Sequence, residues 1–221
     1  MRAIKVLFKV VLYFFFTTVA WVGIYAIVPP PITATMMMDE HGISKDWTSF
    51  SDISPNMARA VIAAEDSKFC SHDGFDTEAI QKAIARNAQG GRIRGGSTIS
   101  QQVAKNAFLW QGGGFFRKGL EAYFTFLVET IWSKRRIMEV YLNIAETGIG
   151  TYGVQAGAQR YFHKDAKDLT GIEAARIAAA LPLPKKRAVN GARGFTRRYG
   201  NTIATRINVV LNEKLDSCIY N

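Results

Sequence analysis

Cysteine is scarce: the 221 residues contain two, Cys70 and Cys218. Two cysteines make no disulfide framework of the kind that staples small secreted domains. Cys218 lies close to the C-terminus, where chains are usually loose, so the expectation is two free thiols. The three histidines, His41, His72 and His163, are not at metal-ligand spacings, and no zinc motif is present. No G-x-S-x-G elbow occurs, which argues against an α/β-hydrolase nucleophile. The Gly-Lys-Ser/Thr ending of a Walker loop is missing, which argues against a P-loop nucleotide site. Alternating strand patterns are nearly absent, and there is neither an internal repeat nor a long low-complexity tract. A sheet-dominated, repeat or disordered protein is therefore excluded.

What is present is an apolar N-terminus followed by one domain's worth of chain. Arg2, Lys5 and Lys9 precede an uncharged run from Val10 to Val28. As a helix that run reaches about the thickness of a bilayer's hydrocarbon core. The preceding cations place residues 1–9 in the cytoplasm. Trp21 and Tyr25 suit the outer interface, and Pro29, Pro30 and Pro31 end the helix. The competing reading is a cleaved signal peptide, whose apolar core is usually about 7–15 residues. The longer run, and the weak cleavage match at Ile32-Thr33-Ala34, favour an uncleaved anchor. The remaining chain then lies outside the cytoplasmic membrane. The net charge of +10 points to lipid headgroups, phosphate-bearing lipids and cell-wall polymers, and not to nucleic acid.

Residues 29–52 mix Pro, Thr, Met and Asp without a sustained period and are expected to form a linker. From Ser54 the pattern is helical. Ser54 is placed to cap a helix that begins at Pro55, with Met57, Ala60, Val61 and Ala64 on one face. Asp76 is placed to cap the next helix, with a stripe of Ala79, Ile80, Ala83 and Ile84. A Gly- and Arg-rich break follows over residues 90–96. Further helices are expected at about Ser97–Leu109, Arg117–Trp132, Lys134–Leu142, Tyr152–Phe162, Thr170–Leu181 and Thr196–Leu215. The fold class is mainly α, with one globular domain over 53–221.

Three clusters carry chemistry. The first is EDSKFCSHDGFD, residues 65–76. Glu65 and Asp66 end a helix against its dipole, and a carboxylate near Phe69 has its proton affinity raised by desolvation, as suits a general base. Solvated loop acids are the alternative. The second, GGSTISQQVAKN, covers 95–106. It puts Ser97, Thr98, Gln101, Gln102 and Lys105 on one arc of a helix and Ile99, Val103 and Ala107 on the other. Its glycines and free helix N-terminus suit sugar or phosphate, while an ordinary capped amphipathic helix is the alternative. The third is Arg117-Lys118-Gly119-Leu120-Glu121, where two cations share a face with one carboxylate. They could bind a diphosphate or form a surface salt bridge.

In this order and spacing the clusters resemble the peptidoglycan glycosyltransferase family. RKGLEAYFTFLVE, KRRIMEVYLNIAE, GVQAGAQRYFHK and LTGIEAARIAAALPLP extend the match, which runs from about residue 50 to 185. The anchor and the lack of room for a transpeptidase domain make the chain similar to the monofunctional transglycosylases. The resemblance implies a lysozyme-like helical fold and an inverting transfer of a growing glycan, held through undecaprenyl diphosphate, onto a lipid-linked disaccharide-peptide (lipid II). It implies Glu65 as general base. Glu121, with Arg117 and Lys118, would manage the leaving diphosphate, with a divalent cation such as Mg2+ an open option and no protein metal site. Ser97, Thr98, Gln102, Lys105 and Asn106 match donor-site positions, and Asp66, Phe69 and His72 support Glu65. Membrane lipids and other cell-wall synthesis or division proteins are the implied partners.

Two departures stand out. Leu183-Pro184-Lys185-Lys186-Arg187 is more basic than the usual ending, and His163 stands where many members have glycine. Two rival functions share parts of this pattern. A lysozyme-like hydrolase would share a helical fold and a glutamate but would not need Arg117, Lys118 or GGSTISQQ. A non-catalytic wall- or membrane-binding protein would use the basic stretch with Arg197, Arg198, Arg206 and Lys214.

Overall fold

In the computed structural model, which describes residues 2–88 and 96–220, the chain is mainly helical. The elements run α1 Arg2–Ile27, α2 Ala34–Met37, β1 Ser44–Lys45, α3 Pro55–Glu65, α4 Thr77–Ala88, α5 Ile99–Phe108 and α6 Gly114–Ile131. They continue with α7 Lys134–Ile144, β2 Glu146–Gly148, β3 Thr151–Tyr152, α8 Val154–Phe162, α9 Gly171–Ala180, α10 Gly194–Asn212 and α11 Ser217–Tyr220. The expected helices are present, with ends that differ by a few residues. The break at 90–95 and the side chains of Ala83 and Ile84 lie outside the described residues.

Local chemistry sets most helix starts. Thr98 and Thr170 each close a capping box, with Gln101 and Glu173 as the reciprocal partners, which satisfies two orphan donors at each end. Ser133 caps α7 by accepting from the Arg136 N–H at 3.2 Å. Asp76 accepts from the Ala79 N–H at 2.9 Å, as expected. Ser54 differs. It sits at the cap position before Pro55, but its hydroxyl donates to the Leu169 carbonyl at 2.8 Å and caps nothing. A tertiary acceptor has displaced the local one.

Helix α7 runs through the middle of the core. Ile137, Met138, Val140, Tyr141, Leu142 and Ile144 are all buried. Helix α5 packs on α6 and α7, while α3, α9 and α10 pack on one another. The three short strands form a sheet in the order β1-β3-β2, with β1 parallel and β2 antiparallel to β3. Two- and three-residue strands are too short to leave an alternating pattern in the sequence.

Helix α1 begins well before the expected span and is about 39 Å long at 1.5 Å per residue. It is long and apolar enough to cross a membrane. Its last third docks on the domain. Val22 is fully buried, and its carbonyl accepts from the Trp132 indole N–H at 2.9 Å. The Thr18 and Tyr123 hydroxyls share a 2.7 Å hydrogen bond. The Trp21 ring meets the Phe108 and Phe124 rings edge-on, and those two stack at 4.9 Å. Each aromatic pair adds about 0.5–1.5 kcal/mol beyond its area. The anchor is therefore joined rigidly to the helix that carries Glu121.

Residues 29–52 are not the spacer their composition suggests. Thr33, Met36 and Phe50 are buried, and β1 pairs with β3. The Asn143 side chain accepts from the Thr48 N–H at 2.8 Å and donates to the Thr48 carbonyl at 2.9 Å. The segment is a strap across α7, held by partners about a hundred residues away, which local composition cannot reveal.

The two cysteines are also not free. Cys70 and Cys218 form a disulfide that spans 148 residues. The C-terminus is ordered because Asp216 pairs with Arg59 at 2.7 Å, Ile219 is buried, and the Ile219 carbonyl accepts from Arg135 at 3.0 Å. These contacts hold α11 against the turn after α3 and bring Cys218 to Cys70.

The departure at His163 has a backbone meaning. His163 ends α8 in the left-handed region, at φ 55° and ψ 41°, where glycine is the favoured residue.

Two expectations follow from these contacts. Reducing the disulfide, or introducing Cys218→Ser, should lower the unfolding free energy by about 2–4 kcal/mol, because the cross-link closes a long loop. Urea titration with and without reductant measures this, and coincident midpoints would contradict it. His163→Gly should stabilise the protein by roughly 0.5–1 kcal/mol, since a left-handed L-residue costs about 1–2 kcal/mol and glycine's greater unfolded-state freedom returns part of it. A lower melting temperature in the glycine variant would refute that account.

Candidate active site

Glu65 is the last residue of α3, and its side chain faces the polar side of α5. Gln102 donates from Nε2 to Glu65 Oε2 at 2.9 Å, and the buried Tyr141 hydroxyl donates to Gln102 Oε1 at 3.3 Å. Burial pushes the Glu65 carboxyl above its ordinary value of 4.5, and Asp66 adds to the rise. The Gln102 hydrogen bond and the charges of Arg187 and Lys105 oppose it. Glu65 is thus a carboxylate with increased basicity whose one polar partner is a neutral amide.

Asp66 is turned the other way. It accepts from His72 Nε2 at 3.0 Å and from the Ile99 N–H at 3.0 Å. Because His72 Nδ1 accepts from the Gly74 N–H at 3.1 Å, the imidazole proton is assigned to Nε2. Gly74 has φ +89°, and a Cβ there would stand 2.8 Å from Thr125 Cγ2, so both conformation and space require glycine. Its carbonyl accepts from the Thr98 hydroxyl at 2.7 Å. Phe69 is fully buried beneath this loop, with the Lys134 ammonium 4.7 Å from its ring centre.

The start of α5 differs from the expected open anion site. The Ile99 N–H goes to Asp66, the Thr98 N–H to Gln101 Oε1 and the Gln101 N–H to Thr98 Oγ1. A protein carboxylate and a capping box occupy the donors that a phosphate would use. Thr98 and Gln101 are buried structural members. Ser97 is exposed and shares a hollow of about 170 Å³ with Glu65, Asp66 and Asp76.

Further along α5, Gln102, Lys105 and Asn106 line a larger cavity of about 420 Å³. Burial lowers the affinity of Lys105 for its proton, the cations Arg117 and Lys118 act in the same direction, and Glu121 and Glu65 oppose them. Lys105 therefore lies within electrostatic reach of both glutamates. Glu121 is buried on α6, paired through Oε2 with Arg117 at 2.8 Å and through Oε1 with Lys118. Arg117 is mostly buried while Lys118 is half exposed. With both carboxylate oxygens facing cations, Glu121 does not fit a protein-held divalent metal. Among the described residues no group of three or more His, Cys, Asp or Glu gathers as a metal site.

The structure thus brings Glu65, Gln102 and Lys105 together, places Asn106 beside Lys105 on the cavity wall, and sets Asp66, His72, Phe69 and Thr98 beneath as supports. Sequence reasoning gave α10 no part in the catalytic site, only a basic face for a rival binding function. The Tyr199 hydroxyl donates to the Ala64 carbonyl at 2.7 Å and Arg206 to the Ala63 carbonyl at 3.4 Å. Tyr199 thus satisfies a terminal carbonyl, and Arg206 with Arg187 supplies positive charge near the α3 C-terminus, where two acids oppose the helix dipole. Only the unusual basicity of 185–187 hinted at this. Tyr141 gave no signal, because it reads as one more core aromatic.

The transglycosylase family matches residues 33–214. A biosynthetic peptidoglycan transglycosylase of Caulobacter vibrioides is 48% identical over 199 residues, covering 89% of this chain and 87% of the relative. One from Bdellovibrio bacteriovorus is 45% identical over 216 residues, covering 92% and 86%. One from Salmonella enteritidis is 51% identical over 189 residues, covering 80% and 77%. The chain belongs to the peptidoglycan transglycosylase family. It is a glycosyltransferase of cell-wall synthesis with a lysozyme-like helical domain and an N-terminal apolar helix suited to an inner-membrane anchor.

The raised Glu65 carboxyl fixes the sign of two pH effects. Its contribution to stability is fully present below about 4.5 and is lost as pH rises through the raised value. Removing the Gln102 donor should move the titration further upward. In the full chain in detergent micelles, the Glu65 carboxyl carbon signal should titrate at higher pH in Gln102→Leu than in the wild type. A shift to lower pH, or none, would show that Gln102 does not tune Glu65.

Proposed function

We propose that this enzyme polymerises lipid II into glycan strands by inverting transfer, with release of undecaprenyl diphosphate. One observation carries the reading. A part-buried glutamate with raised proton affinity, Glu65, and a two-cation cluster around Glu121 both lie within electrostatic reach of Lys105. A general base and a diphosphate site are the two parts such a transfer needs.

In this reading Glu65 takes the proton of the acceptor sugar hydroxyl as that oxygen attacks the anomeric carbon of the donor. The bond from that carbon to the diphosphate breaks, and the lipid diphosphate leaves with the electron pair. Attack opposite the leaving group inverts the anomeric centre. A sugar hydroxyl is a weak nucleophile, so a positioned base contributes about 10²–10⁴ in rate. Arg117, Lys118 and Lys105 face charge that grows on the diphosphate as it departs, so they stabilise the transition state more than the ground state. Glu121 orients Arg117 and Lys118 and leaves Lys105 free to meet the phosphate. A divalent cation such as Mg2+ belongs here to the diphosphate it accompanies. Ser97 and Asn106 supply neutral hydrogen bonds to sugar or phosphate.

The anchor supplies proximity to a lipid substrate. Basic residues 2–9 favour the cytoplasmic side, with the catalytic domain outside. The Cys70–Cys218 disulfide supports that orientation, because such bonds persist in oxidising compartments. A hydrolase would use water as acceptor and would have no use for the Arg117–Lys118 pair.

Incubating the purified chain with lipid II should give long glycan, and finished peptidoglycan should remain uncut. Glu65→Gln keeps size and hydrogen bonding but removes the base, and should lower turnover by about a hundredfold or more with the fold intact. Near-normal turnover in that variant would take Glu65 out of this role, and cleavage of finished wall would favour the hydrolase.

A further inference from the structure

The cavity of about 420 Å³ has two polar ends. One is formed by Gln102, Lys105 and Asn106 on α5. The other is formed by Asp39, Glu146 and Lys185, which come from three separate parts of the chain. Apolar and aromatic groups, including Tyr152, Pro182 and Pro184, also line it. Flat apolar surfaces with convergent hydrogen-bonding groups suit a sugar, and the volume is within the usual range for a ligand site.

The two carboxylates at the second end are in opposite situations. Asp39 is satisfied. It accepts from the Tyr152 hydroxyl at 2.7 Å, the Lys185 ammonium at 2.9 Å, and the His41 ring and N–H at 2.9 and 3.1 Å. This pins Lys185 in place. Glu146 is not satisfied. Its Oε1 is the one buried side-chain nitrogen or oxygen among the described residues that lacks a hydrogen-bond partner. Lys185 is 3.7 Å away, near enough for ionic attraction and too far for a hydrogen bond. Burial accordingly favours the protonated form of Glu146.

Buried acceptors are nearly always paired, and an unpaired one destabilises the fold that keeps it. The Glu146 carboxylate lines the cavity and remains 17% exposed. A donor on a ligand held in the cavity would supply the partner that the protein does not. If the diphosphate is held near Lys105, the saccharide attached to it reaches toward this end.

We infer that Glu146 accepts a hydrogen bond from a hydroxyl or amide N–H of the donor saccharide, and that Lys185, fixed by Asp39, sets the position of its carboxylate. This rests on the polymerase reading above and extends it to a residue that determines how the sugar is recognised.

The test uses the full chain in detergent with lipid II as substrate. Glu146→Ala should raise KM about tenfold or more and change kcat by less than about threefold, as expected when a hydrogen-bond acceptor in the binding site is lost. Glu146→Gln, which keeps an amide oxygen as acceptor, should recover part of the loss. Melting temperature should hold or rise in both, because an unpaired buried acceptor is removed or neutralised. Unchanged KM in both variants would overturn the inference, as would a KM that rises only in step with a falling melting temperature. Should the alanine variant fail to fold, the KM of the glutamine variant decides alone. Wild-type protein that made no polymer would defeat the polymerase reading, whereas active wild type with unaffected Glu146 variants would defeat only this one.

Discussion

The Asp66 carboxylate accepts from the backbone at the start of α5 and from His72 at the same time. Those bonds join three pieces of chain: the end of α3, the loop to Gly74, and the first turn of α5. The Thr98 hydroxyl closes the ring on the Gly74 carbonyl. With α5 locked at this point, its polar side faces Glu65, and Gln102 meets the Glu65 carboxylate. If Asp66 turned toward solvent, the Ile99 N–H and the His72 N–H would both lose their acceptor, and α5 would be free to shift against Glu65. Buried, fully satisfied networks of this kind specify one arrangement because a partly satisfied one is costly.

The two neighbouring acids at the end of α3 thus stand in different settings. Asp66 accepts from His72 and from the Ile99 N–H. Glu65 has one neutral amide and a desolvated setting, so its proton affinity rises. Placing such groups at a helix C-terminus costs energy, since the helix dipole opposes them. Tyr199 and Arg206 offset that cost by donating to the Ala64 and Ala63 carbonyls, and Arg187 by its charge near Glu65. The basic C-terminal helix therefore has an internal task, apart from any attraction to an anionic surface.

The anchor is part of the same mechanical unit. Its last third packs against Phe108 of α5 and Phe124 of α6, the helices that carry Gln102, Lys105 and Glu121. The strap of residues 29–52 returns over α7, and the Cys70–Cys218 bond secures the chain's other end. The N-terminal helix thus packs directly on the two helices that carry these side chains.

The helical class, the anchor and the three clusters were legible in the sequence because each depends on local spacing. Period, charge and capping residues act over a few positions. What lay beyond reach depended on partners distant in the chain. The Cys70–Cys218 bond needed α11 to be pinned by Arg59 and Arg135. The strap needed Asn143 and Glu139 on α7, which accept from the Thr48 and Phe50 N–H groups. The use of the α5 N–H groups by Asp66 needed α3 to end against α5. Even Ser54, correctly placed before Pro55, gave its hydroxyl to Leu169. The sequence alone determined which groups were available: two glutamates, a set of cations and an amide-rich helix face. Only the tertiary structure decided which of them would be satisfied and which left reactive, because burial and hydrogen-bond partnership are properties of the packed chain.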